Sequence, residues 1–202
     1  MIVPSEPLAA HPLEVQIWLF RVPMESPGDV LACPIGCAVQ LEDIEALFAD
    51  EHGCHMEVRY AADTFGAHWP RFRATPAADW LGSPDLEVHA FAHNPPLDSI
   101  EETLFLRKLR QFVEKGTIYD LPLFAIRTAA AIAALQGSHV PVVDLCGEAA
   151  VICYEAVARC HNAAAVVHPE TRPKLNPATF APGDLWELVR GGHLVYRGLP
   201  CA

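Results

Sequence analysis

Lysine is nearly missing from this chain: Lys108, Lys115 and Lys174 are all it has, and arginine supplies the other 11 of its 14 basic residues. Against them stand 25 acidic residues, a formal charge of −11 and a pI near 5.3. That balance repels phosphate backbones, so unassisted nucleic-acid binding is not expected. Long apolar runs are missing as well. The most apolar stretch, Leu121 to Leu135, contains Arg127, and it is shorter than the run of about 18 residues that a membrane span needs. The first residues, Met-Ile-Val-Pro-Ser-Glu, place no basic segment ahead of an apolar one, so no secretory signal is read there. A phosphate-binding glycine loop, a Gly-x-Ser-x-Gly elbow and a His-Glu-x-x-His zinc helix are all lacking, which lowers the standing of the commonest nucleotide and hydrolase classes.

What is present describes a folded chain. Of 202 residues, 51% are hydrophobic and 19% charged, a composition that buries roughly 70% of the unfolded surface at this length. The cysteines, at 33, 37, 54, 146, 153, 160 and 201, number seven. An odd count without a signal points to reduced thiols and a cytoplasmic protein. The preference for arginine over lysine, with 18 prolines, suggests a high-GC bacterial genome.

Hydrophobic spacing predicts strands at Val15 to Val22, Cys54 to Tyr60, Leu86 to His93, Val140 to Leu145, Ala163 to Val167 and His193 to Arg197. It predicts helices at Leu41 to His52, Ile100 to Lys115, Asp120 to Gln136 and Asp184 to Arg190, with Glu148 to His161 leaning helical. Ser99 and Glu102 fit a capping box for the second of these. The helix near 121–136 is apolar on almost every side, which predicts a buried, central position. Residues 61 to 85, punctuated by Pro70, Pro76, Gly82 and Pro84, read as an irregular connection. They suggest a boundary between an N-terminal unit, 1–85, and a C-terminal unit, 86–202, unless the chain is one domain. The alternation of elements implies an α/β or α+β fold: a mixed β-sheet with packed helices.

Three constellations carry chemistry. Cys33 and Cys37, followed by Cys54 and His55, offer the thiolate and imidazole donors that zinc takes. Cys54 and His55 point to opposite faces of their strand, however, and free cysteines are most often small buried hydrophobes. His55 with Glu57, and Glu87 with His89, form His/Glu pairs whose members lie about 7 Å apart on one strand face. Four such groups would grip a metal if the two strands were neighbours; otherwise they are an ordinary solvated sheet face. Third, Cys146 falls where a strand would meet a helix. A helix N-terminus there would lower its thiol pKa, with Asp144 and Glu148 as base or orienter, although a nearby carboxylate works against a thiolate.

Two functions compete. The acidic balance favours a non-catalytic binding protein, such as an inhibitor, immunity or regulatory protein acting on a basic protein partner. Trp69, Phe72 and Trp80 in the irregular connection would be its contact anchors. The alternative is a small-molecule enzyme, using Cys146 as nucleophile or a His/Glu metal site. Self-association through the apolar helix would also account for that helix's lack of a polar face.

Overall fold

The computed structural model describes residues 14–21, 55–68, 70–81 and 86–200. Strand β1 (Gln16–Arg21) carries apolar side chains on both faces. Ile17 and Leu19 point one way and Trp18 and Phe20 the other, none more than 2% exposed. A strand dry on both sides belongs inside a sheet. β2 (His55–Tyr60) and β5 (Glu87–His93) flank it, both antiparallel. β3 (Asp63–Ala67) and β4 (Phe72–Pro76) extend the sheet beyond β2, and β8 (Leu194–Gly198) extends it beyond β5. The order is β4-β3-β2-β1-β5-β8, with every pairing antiparallel. β6 (Ile118–Tyr119) and β7 (Ala150–Val151) make a separate short parallel pair. The fold is therefore α+β, and its main sheet takes strands from both sides of the segment 61–85.

The helices are α1 (Ala78–Leu81), α2 (Ser99–Glu114), α3 (Leu121–Leu135), α4 (Cys153–Ala165) and α5 (Pro182–Arg190). On one side of the sheet, Ile17, Leu19, Met56, Val58 and Phe91 join Phe105, Leu109 and Phe112 of α2 and the buried residues of α4 in the main core. On the other side a smaller cluster forms from Trp18, Phe20, Ala77, Val88 and Ala90, with Trp80, Leu81 and Leu86 packed against it. Among the described residues no helix is long and apolar enough to cross a membrane.

Several expectations shift. The capping box of α2 lies one residue earlier: Asp98 Oδ1 accepts from the backbone of Ile100 and Glu101, and Glu101 Oε2 accepts from Asp98 N. The helix near 121–136 forms, but at the margin of the helical layer. Leu121, Ala125 and Ala129 are exposed, and the middle belongs to α4, ten of whose 13 residues are buried. No strand forms over 140–145, where Pro141 lacks an N–H to donate and where Val143 and Leu145 are exposed. Ala163, Ala164 and Ala165, good helix formers, end α4 instead of starting a strand. The connection 61–85 holds the β3–β4 hairpin and α1. The expected helix at Leu41 to His52 lies outside the described residues.

Candidate metal site

The hairpin joining β2 to β3 sets the geometry. Its register pairs Val58 with Phe65, Arg59 with Thr64 and Tyr60 with Asp63. Continued along the strands, the same register places Gly66 opposite Glu57 and His68 opposite His55. All four lie on the sheet face that carries Trp18 and Phe20, since Glu57 pairs with Trp18 and His55 with Phe20. Alternation alone would make this a polar outer face. It is dry: His55 is 2%, Glu57 0% and His68 2% exposed.

The three side chains converge on one point. His55 Nε2 lies 3.2 Å from Glu57 Oε1, and His68 Nε2 lies 2.6 Å from the same oxygen. One donor atom from each of the three falls within 4.8 Å of the others. The His55 contact is a hydrogen bond. The His68 contact is close without being aligned as one, and neither His68 nitrogen has a hydrogen-bond partner among the described residues; nor has Glu57 Oε2. A buried carboxylate oxygen and imidazole nitrogens left unpaired are costly, and a bound cation would satisfy the Glu57 oxygen and a His68 nitrogen together. Ligands at about 2.1 Å from a zinc-class ion stand roughly 3–3.5 Å apart in a tetrahedron; the His55–Glu57 pair has that spacing at 3.2 Å, and the His68–Glu57 pair, at 2.6 Å, is tighter.

Electrostatics agree. Burial alone would raise the Glu57 carboxyl, but the His55 hydrogen bond and the close approach of both imidazoles overcome it and hold the group down at about 2. Burial lowers the His55 imidazole, with Glu57 partly offsetting. The site is thus a dry carboxylate flanked by two imidazole rings, a donor set that favours a divalent cation.

Aromatic rings wall the cluster. Trp80 stacks on His68 with centroids 6.0 Å apart and an interplanar angle of 6°. Phe20 lies 5.6 Å from His55 and 5.3 Å from Trp80. Trp80 Nε1 donates to Thr64 Oγ1 at 2.8 Å, which fixes the indole over the site.

The structure separates the two His/Glu pairs. β2 and β5 lie on either side of β1, and Glu87 and His89 point to the opposite face from His55 and Glu57. His89 instead meets Tyr196 Oη at 2.8 Å through Nδ1 and Glu87 Oε2 at 3.4 Å through Nε2. Those four residues cannot share one ion. Cys33, Cys37 and Trp69 lie outside the described residues. Phe72 is 2% exposed and packs on Phe112 at 5.4 Å, so it is core.

Cys146 does not stand at a helix start, because α4 begins at Cys153. Asp144 Oδ1 accepts from the backbone of Cys146 and Gly147, closing a turn, while its Oδ2 pairs with Arg159. Glu148 pairs with Lys108. Burial, then Asp120, Asp144 and Glu155, push the Cys146 thiol above its ordinary range.

Sequence reasoning reached His55 and Glu57 but missed His68 and Gly66. The available signal was symmetry: 55 and 68 are equidistant from the turn at Ala61 and Ala62. That turn escapes notice because Ala61 takes a left-handed φ of 54°, where glycine or asparagine is usual.

Fold and site together define a class, an α+β protein with a buried cluster of two histidines and one carboxylate. Compared with protein-family models, curated proteins and solved structures, the chain matches none.

Proposed function

We propose that this protein binds one divalent first-row transition-metal ion through His55, Glu57 and His68. The observation that carries the reading is the convergence of both imidazoles on one buried carboxylate whose second oxygen has no partner among the described residues. Two nitrogens and one carboxylate suit zinc or iron better than magnesium or calcium, which take oxygen donors. Three protein ligands leave at least one coordination position for water or a small molecule, the arrangement through which such an ion polarises a bound group. The free thiols at Cys146, Cys153 and Cys160 fit a reducing, cytoplasmic setting.

The raised Cys146 thiol speaks against a thiolate nucleophile. An acidic binding protein with a basic partner has the charge of −11 behind it. It has less support from its expected anchors: Phe72 is core, and Trp80 covers His68.

The test is metal content by mass spectrometry and elemental analysis, on protein purified without chelator and then titrated with Zn²⁺ or Co²⁺. One equivalent is expected, with His55→Ala and His68→Ala each weakening binding by on the order of 100-fold or more. Wild-type protein that takes up neither ion overturns the reading.

A further inference from the structure

We propose that Gly66 is the positioning residue of this site: it is glycine so that the Glu57 side chain can lie flat across β3 and bring its carboxylate to His68. The inference rests on the metal-site reading above and adds to it a residue that touches no ion.

The geometry is specific. A Cβ built on Gly66 would stand 2.7 Å from Glu57 Cγ, 2.7 Å from Oε1 and 2.9 Å from Cδ. All three are closer than real side chains tolerate. One of them is the γ-carbon near the root of the side chain, so rotating the carboxyl end does not relieve the overlap. Glu57 would have to leave its rotamer, and Oε1 would leave both imidazoles.

Backbone freedom does not explain the glycine. Gly66 lies within β3, paired with Arg73, and it is not among the glycines with positive φ. Glycine inside a strand weakens it and often marks a close approach by another group. Here the approaching group is the Glu57 side chain. A carboxylate on β2 reaches diagonally to a histidine on β3 only by passing over the residue directly opposite, and only a residue without a side chain lets it pass.

This makes Gly66 act through Glu57 and through nothing else, which a double-mutant cycle in metal affinity can read. The measured quantity is Co²⁺ affinity, with the visible d–d spectrum as a signature of the ligand set, in wild type, Gly66→Ala, Glu57→Ala and the double variant. Gly66→Ala is expected to lose on the order of 100-fold in affinity, to match Glu57→Ala in both affinity and spectrum, and to add no further loss when Glu57 is already alanine. The double variant also controls the fold, because alanine at 66 meets no Glu57 side chain there. Wild-type protein that binds no Co²⁺ overturns the metal reading itself. Wild-type binding with Gly66→Ala within about threefold of it overturns this inference alone, as do additive losses in the double variant. So does failure of the double variant to fold where Glu57→Ala folds.

Discussion

A carbonyl oxygen only accepts hydrogen bonds, and from that the protonation of two buried histidines follows. His161 Nε2 lies 2.9 Å from Pro173 O, so it carries the hydrogen and leaves Nδ1 as a bare acceptor. His93 Nε2, 3.2 Å from that Nδ1, must then be the donor, which leaves His93 Nδ1 buried without a partner among the described residues. Protonating His161 would set two N–H groups against each other in a dry site near the Arg172–Glu101 ion pair. Burial first, helped by Arg172, lowers His161 from 6.5 to about 4, and burial holds His93 well below its ordinary value. Between pH 6.5 and 4 the unfolded chain takes up a proton on His161 that the folded chain refuses, so this contribution to stability falls with pH across that window and levels off below it. His161 alone contributes a loss of roughly 3 kcal/mol at about 1.4 per pH unit; His55 and His93 act in the same direction. Glu155 acts against them. Burial raises its carboxyl to about 7, so the folded state gains from its protonation as pH falls. Urea unfolding at pH 7, 5.5 and 4.5 should show a decline that becomes steeper in Glu155→Gln. A profile flat from 7 to 4.5 in that variant would contradict the tautomer chain.

At the level of elements, β4 and α2 show how an expected surface anchor becomes core. Phe72 pairs with Ala67 at the end of the β3–β4 ladder, and its ring meets Phe112 of α2. Phe72→Ala should therefore cost about 3–5 kcal/mol of stability, read as a lowered denaturant midpoint. A variant as stable as wild type would return Phe72 to the surface. The regular elements were the legible ones. α2 announced itself through Phe105, Leu109 and Phe112 at helical spacing, β2 through alternation, and β1, β5 and β8 as short strand-like stretches. Elements set by tertiary contact did not. The β2–β3 hairpin was masked by its alanine turn and β4 by Pro70 before it and Pro76 at its end, and Val140 to Leu145 read as a short buried strand but forms none. The site was half legible for the same reason: His55 and Glu57 share a strand, whereas His68 joins them only once the hairpin register is known.

For the whole molecule, the site couples metal to folding. An ion bound only by the folded chain raises its stability by RT ln(1 + [metal]/Kd), about 2.7 kcal/mol at a hundredfold excess over Kd. Zn²⁺ should raise the thermal unfolding midpoint of wild type and leave His68→Ala unmoved; equal shifts in both would assign the effect to other groups. The sheet order has a consequence of another kind. β8 pairs with β5, Leu194 meeting His93, so roughly a hundred residues, including α2 to α5, separate the two partners. A ribosome adding about 5–20 residues per second would need roughly 5–20 s to make that intervening chain. For that time β5 has an open edge, so a nascent chain stalled within α3 or α4 presents Phe91 and His93 on a strand ready to pair with any extended peptide it meets.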